Sequence, residues 1–171
     1  MKINKLIKSL ALAATLLVAL PLTSTLQAAE DDGVVRVVYP LDFADIKRVH
    51  FMINTVNNLV KHFQSNLTEY EISIVGYGPG IQYMMKDFKG TGFVGKPYLK
   101  QGGPTTKGSD GRFAALKALA GDSLQFFACK NTMTKKKVLD KQLKSYVKVT
   151  PAGVLKLIQL QSAGAAYIKI K

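Results

Sequence analysis

Cysteine, histidine and tryptophan are scarce in this chain of 171 residues, which contains one cysteine, two histidines and no tryptophan. A single cysteine excludes an internal disulfide framework and a cysteine-rich zinc site. Two histidines argue against a metal centre built from imidazole ligands. We therefore expect no bound metal ion.

Acidic residues and arginine are also few. The chain has 24 lysines and arginines against 11 aspartates and glutamates, and only three of the basic residues are arginine. Bidentate hydrogen bonding to phosphates and to base edges favours arginine over lysine. The small number of arginines therefore argues against a nucleic acid partner. A lysine-rich surface instead attracts small anions and acidic partners.

Long apolar segments are scarce too, and the clearest one lies near the start of the chain. Three lysines within residues 2–8 precede the apolar run Leu10–Leu20, and Ala28 offers a cleavage point. This layout is typical of a secretory signal peptide over residues 1–28. The run of 11 residues is shorter than the roughly 20 of a membrane span, so any membrane contact should be transient. We expect an exported, periplasmic protein with one domain, residues 29–171.

From residue 34 onwards, short segments rich in β-branched or aromatic residues alternate with segments whose apolar residues recur every three or four positions. The first kind predicts strands and the second predicts amphipathic helices. The predicted strands occupy residues 34–39, 71–75, 123–128, 146–149 and 166–170. The alternation favours an α/β fold, a three-layer sandwich with a mainly parallel sheet of about five strands and helices on both faces.

Local signals predict where several of these elements begin and end. Pro40 should end the first strand, and Asp42 should cap the helix that follows. A helix is expected from Thr132 or Thr134 to about residue 144, and Thr150 should cap the last helix. Residues 86–110 are rich in glycine and lysine and have no clear period, which predicts a long basic loop.

Cys129 stands between a predicted strand and a predicted helix. Amide groups at the start of a helix favour an anion, and Lys130 and the nearby run Lys135–Lys137 add positive charge. Both effects favour the thiolate, which is the nucleophilic form of cysteine. The alternative is a buried structural cysteine at the end of a strand, because unpaired cysteines are among the most buried residues.

Parallel sheets form their sites beyond the carboxyl ends of the strands. The residues expected to line a site with Cys129 are Asp42, Gly76, Gly78, Pro79, Gly80, Lys130, Asn131 and Thr132. The glycines either cradle an anion with their N–H groups or serve only as turn residues. Their spacing does not match a dinucleotide fingerprint and no Walker lysine follows, so no organic cofactor is expected. His50, on the polar face of the first helix, and His62, near the edge of its apolar face, are both expected at or near the surface.

Three segments resemble a known family. Residues 127–133, which contain Cys129, resemble the cysteine motif of the DsrE/DsrF-like sulfur-relay family. Residues 75–80 resemble the glycine turn after its second strand. Residues 149–154 and 160–168 resemble the end of its exported, signal-peptide-bearing branch.

The resemblance implies an α/β sandwich that assembles as a homo-oligomer and carries sulfur as a cysteine persulfide. By this resemblance, Cys129 would accept sulfur from a sulfane-sulfur donor or a sulfur oxyanion and pass it to an acceptor protein thiol. A second hypothesis is a non-enzymatic periplasmic module that binds an anion or a protein and assembles with it, with Cys129 as a structural residue. Whether the protein is an enzyme stays open at this point.

Overall fold

The computed structural model describes residues 32–94 and 108–171. The predicted signal peptide, and positions 95–107 of the predicted basic loop, lie outside these residues. Within the described part of the chain, no helix combines the length and the apolar character that crossing a bilayer requires.

Five strands and four α-helices make up the described part of the chain. The strands are β1 (Val35–Leu41), β2 (Tyr70–Gly76), β3 (Leu124–Cys129), β4 (Val147–Thr150) and β5 (Ala166–Tyr167). The helices are α1 (Ile46–Ser65), α2 (Gly108–Ala120), α3 (Lys130–Lys136) and α4 (Gly153–Ser162). Short 3-10 helices span Gly78–Met84, Gly121–Ser123 and Asp140–Gln142.

All strand pairs in the sheet are parallel, in the order β4-β3-β2-β1-β5. Leu41 lies beside Gly76, Gly76 lies beside Ala128, and Cys129 lies beside Thr150. The carboxyl ends of β1 to β4 therefore meet along one edge of the sheet. The predicted fold class is confirmed.

The two faces of the sheet carry clusters of different size. The large cluster lies under α1 and α2, because α1 turns a row of apolar residues to the sheet: Val49, Met52, Ile53, Val56, Val60 and Phe63. The small cluster lies under α4 and consists of Val38, Val75, Phe127, Leu157 and Ala165. Successive strand residues point to opposite faces, which is why Phe126 joins the large cluster and Phe127 the small one.

The cap of the first helix lies three residues later in the chain than the sequence predicts. Pro40 and Leu41 belong to β1, so the prediction that Pro40 ends this strand is wrong. The N-cap of α1 is Asp45, whose carboxylate accepts the N–H of Arg48 at 2.8 Å, so Asp42 is not the cap. Asp42 instead follows the last residue of β1 at the carboxyl edge of the sheet.

The predicted helix from Thr132 or Thr134 to residue 144 is also wrong. The helix starts at Lys130, directly after Cys129, and ends at Lys136, because Lys137 adopts a left-handed backbone with φ 54°. Lys144, near the end of the predicted helix, is buried and donates from Nζ to the carbonyl oxygen of Tyr83 at 2.7 Å.

Three smaller predictions need correction. Thr150 pairs with Cys129 inside the sheet, so it does not cap the last helix, whose N-cap is Ala152. The predicted loop 86–110 ends earlier, since α2 begins at Gly108. His50 is 4% exposed rather than on a polar face, because it follows Val49 on the side of α1 that faces the core.

Candidate functional site

Cys129 lies at the carboxyl edge of the sheet, where β3 ends and α3 begins. It is the N-cap residue of α3, with extended backbone angles. It shares a face of the sheet with Phe127, since alternate strand residues point the same way, and α4 packs on that face. The residue is only 5% exposed. The thiol is therefore enclosed between the sheet and the starts of two helices, α3 and α4.

Backbone amides and one hydroxyl influence the Cys129 thiol. The groups that lower its pKa are the backbone N–H groups of Thr132, Gly153 and Asn131 and the Thr132 hydroxyl. Burial by itself raises the pKa of the thiol, but these groups outweigh burial and hold the pKa below its ordinary value. The arrangement favours the thiolate, which is the reactive form.

Thr132 links the thiol to the loop after β2. Its Oγ1 accepts the N–H of Gly78 at 3.0 Å, and its hydroxyl is one of the groups that lower the pKa of the Cys129 thiol. Gly78 has a φ of +53°, a left-handed backbone that a glycine adopts readily. The structure thus brings together Gly78, Cys129 and Thr132, three of the residues that the sequence predicts at the site.

Packing accounts for two other predicted glycines. A Cβ atom on Gly76 would lie 2.7 Å from the Met84 sulfur, and one on Gly80 would lie 2.0 Å from the Leu41 carbonyl oxygen. These close approaches let the 3-10 helix Gly78–Met84 lie against the ends of β1 and β2. Pro79, at the start of that helix, is exposed.

Asp42 reaches the site through Tyr77. Burial, together with the negative charge of Asp42, raises the pKa of Tyr77 to about 12. The Tyr77 ring also packs on Gly153, where an added Cβ would meet its Cδ1 atom at 3.0 Å. Tyr77 therefore contacts a residue whose N–H group lowers the pKa of the thiol.

The lysines near Cys129 do not direct their charge at the thiol, as the sequence predicts they would. Lys130 Nζ lies 2.7 Å from the Asp140 carboxylate, so its charge is directed to Asp140 rather than to the thiol. Asn131 contributes its backbone N–H, and its side chain is exposed. Lys156, on α4, places its Nζ 4.3 Å from the centre of the Phe127 ring. Backbone amides and the Thr132 hydroxyl, not neighbouring lysines, therefore explain the lowered pKa of Cys129.

Sequence reasoning missed Tyr77 and Gly153. Tyr77 lies within the predicted glycine turn, and Gly153 lies in the connection between β4 and α4. The rule that sites form beyond the carboxyl ends of parallel strands would have indicated this connection. The sequence instead predicts a helix that begins directly after Thr150, which leaves no such connection.

Metal ligands do not cluster in the described part of the chain. Within residues 32–94 and 108–171, no three side chains of histidine, cysteine, aspartate or glutamate come together as a metal site requires.

Comparison with known proteins identifies the family of this chain. The sequence model of the DsrE/DsrF-like family matches residues 11–170. The chain belongs to this family. This DsrE/DsrF-like chain is similar to the solved structure of a protein of unknown function from Methanobacterium thermoautotrophicum, with 27% identity and a TM-score of 0.58. The similarity covers 79% of this chain and 98% of the other. Among curated proteins, none matches.

The family membership confirms the resemblance found in the sequence. At the level of the family, it supports a function of the sulfur-relay type. In this DsrE/DsrF-like chain, the lowered pKa of Cys129 favours the thiolate over the thiol.

Proposed function

We propose that this protein takes up a sulfane sulfur atom on Cys129 and hands it to the thiol of an acceptor protein. The observation that carries the proposal is the position of Cys129 at the carboxyl edge of the sheet, as the N-cap residue of α3, together with the lowered pKa of its thiol. Membership of the DsrE/DsrF-like family supports sulfur as the cargo.

The uptake step requires no external oxidant. The Cys129 thiolate attacks the outer sulfur of the donor, a polysulfide or a sulfur oxyanion such as thiosulfate. A bond forms between the two sulfur atoms, and the bond from that outer sulfur to the rest of the donor breaks. The electron pair of the broken bond leaves with the remainder of the donor, which is a polysulfide one sulfur shorter (sulfide from the shortest) or sulfite. The product is a persulfide on Cys129.

The surroundings of the thiol favour a donor that carries negative charge. Peptide N–H groups at the starts of α3 and α4 lower the pKa of the thiol, and lysines outnumber acids over the whole chain. Both features attract anions to this edge of the sheet. A homo-oligomer is the expected assembly, by likeness to the family.

A structural cysteine is the second candidate, and one observation favours it. Cys129 is 5% exposed, within the range of a core residue. In that case the protein would be a binding or assembly module, and the loop after β2 would hold an anion or a partner protein. Its thiol would react with alkylating agents only after unfolding.

A mass measurement separates the two candidates. The folded protein is treated with polysulfide, its remaining thiols are blocked, and the intact mass is recorded. We expect one added sulfur atom per chain that is removed by a reductant. Because the chain has a single cysteine, the Cys129→Ser variant is the matched control and should gain no sulfur.

The opposite result has an equally clear meaning. If the folded protein gains no sulfur and its thiol resists iodoacetamide until urea is added, Cys129 is a core residue and the proposal is wrong. Sulfur uptake that persists in Cys129→Ser would also contradict it.

We also propose that the chain is exported and acts in the periplasm. The support is the pattern of residues 1–28, with its lysines, apolar run and small residue at the cleavage point. Cell fractionation followed by amino-terminal sequencing tests this. A mature protein that starts near residue 29 in the periplasmic fraction is expected, and an intact Met1 in the cytoplasmic fraction would refute it.

A further inference from the structure

We propose that a second copy of this chain binds to the outer face of α4, so that two copies pack against each other through the same surface. This surface, the α4 patch, consists of Val154, Leu155, Ile158 and Tyr167. The contact gives the expected homo-oligomer an interface, and it does not depend on sulfur chemistry at Cys129. Two observations carry it, the exposure of these apolar side chains and the scarcity of charge around them.

α4 presents three large apolar side chains to solvent. Val154 is 59% exposed, Leu155 is 46% exposed and Ile158 is 54% exposed. Among the other helices of the described residues, α1 and α2 each expose one such side chain, Phe51 and Leu119, and α3 exposes none. Single exposed apolar residues are ordinary, but a cluster of them on one helix marks a site of protein contact.

The three side chains lie together on the side of α4 that faces away from the sheet. Gly153 and Leu157 are buried, so they define the inner side of the helix. Successive helical residues are rotated by about 100°, which places Val154, Leu155 and Ile158 on the outer side. Ile158 lies four residues after Val154 and three after Leu155, the spacings at which side chains on a helix surface are neighbours. They therefore form one continuous stripe.

The stripe extends towards the edge strand β5. Lys156 projects from the flank of α4 nearest β3, since its Nζ lies 4.3 Å from the centre of the Phe127 ring. Val154 is two residues earlier, about 160° around the helix, so it projects towards the side of β1 and β5. On that side Tyr167 is 39% exposed, and it pairs with Val38, which points to the face of the sheet that α4 covers.

The distribution of charge indicates what covers this patch. Residues 149–168 contain one charged residue, Lys156, although 20% of the chain is charged. An acidic partner would be recognised through lysines, and the patch contains none. Two copies of a chain with a net charge of +13 repel each other, so they can approach closely only where both surfaces lack charge. The same patch on both copies meets this condition, which makes the contact two-fold.

The test measures the mass of the assembled protein by size-exclusion chromatography with light scattering. Ile158→Asp places a charge in the middle of the patch, and Leu155→Ser is a milder second variant. Phe51→Asp is the matched control, because Phe51 is 59% exposed but lies on α1, on the opposite face of the sheet. Intact mass shows whether residues 1–28 have been removed, so that all proteins are compared in the same form. Circular dichroism shows that each variant is folded.

We expect the wild-type protein to contain an even number of chains. Ile158→Asp should halve this mass, Leu155→Ser should raise several-fold the concentration at which the assembly dissociates, and Phe51→Asp should change neither value. Higher salt screens the repulsion between the copies, so it should strengthen the wild-type assembly.

The results that would overturn the inference are equally specific. They are a monomeric wild-type protein, folded Ile158→Asp and Leu155→Ser variants that assemble like the wild type, an equal loss of mass in Phe51→Asp, or an assembly that dissociates in high salt. None of these measurements depends on Cys129. A monomer that still takes up sulfur overturns only the interface, and an assembly that takes up no sulfur overturns only the proposed transfer.

Discussion

Replacing Leu157 by alanine should link a loss of stability to a change in the thiol. Leu157 is 6% exposed and is the residue of α4 in the small cluster with Val38, Val75 and Phe127. Truncating a buried leucine costs about 2–5 kcal/mol, against a total stability of roughly 5–15 kcal/mol for a domain. Most of this range leaves the protein folded but holds α4 less firmly against the sheet.

The thiol should report this loosening. The N–H group of Gly153, the first residue of α4, is one of the groups that lower the pKa of Cys129, and weaker packing of α4 holds this group less firmly in place. We therefore expect the pKa of Cys129 to rise in Leu157→Ala. The same opening uncovers the sulfur, so alkylation at pH values above the pKa should become faster.

Leu116→Ala is the matched control for this variant. Leu116 is 3% exposed and belongs to the large cluster on the opposite face of the sheet. Urea unfolding should show a similar loss of free energy in both variants, and iodoacetamide alkylation across pH gives the thiol pKa. An unchanged pKa in Leu157→Ala, or an equal rise in Leu116→Ala, would refute the reasoning that α4 shapes the surroundings of the sulfur.

Three further predictions concern stability. Tyr39 is fully buried, and its hydroxyl has no hydrogen-bond partner within residues 32–94 and 108–171. Tyr39→Phe should therefore raise the free energy of unfolding in urea titrations by about 1 kcal/mol, and a lower free energy of unfolding would contradict this. Gly80→Ala should lower the free energy of unfolding by more than about 3 kcal/mol, because the new Cβ meets the Leu41 carbonyl oxygen at 2.0 Å, and a variant as stable as the wild type would show that this contact yields. The lowered pKa of Cys129 stabilises the folded protein fully above the thiol pKa of the unfolded chain, about 8.5, and this contribution is lost as pH falls through the folded value. The stability of the wild type relative to Cys129→Ser should therefore increase with pH up to about 8.5 and then level off, whereas a difference independent of pH would argue against an acidic thiol.

The order of strands and helices could be predicted because it depends on local patterns. The segment 34–39 is rich in β-branched apolar residues, and the residues of α1 that face the core recur every three or four positions. These patterns reflect burial against a sheet, so they survive small errors in the ends of the elements. They led to the correct α/β fold and placed Cys129 at the end of a strand.

The ends of elements and the contacts of the sulfur could not be predicted in the same way. Asp42 and Asp45 are equally good caps in the sequence, and only the extension of β1 through Leu41 decides between them. The N–H group of Gly153 carries no signal of its own in the sequence. Its effect on Cys129 exists because β3 and β4 are neighbours, which is a property of the whole sheet.

The acidity of this thiol has a consequence for how the chain acquires its chemistry. Thr132 and Gly153 supply groups that lower the pKa of the thiol, and Gly78 donates to the hydroxyl oxygen of Thr132. These three residues lie in connections that follow three different strands. A nascent or partly folded chain lacks these long-range contacts and carries an ordinary thiol, mostly protonated at neutral pH. Reactivity thus appears only when folding is complete, and the alkylation rate of Cys129 can serve as a kinetic probe of the final folding step.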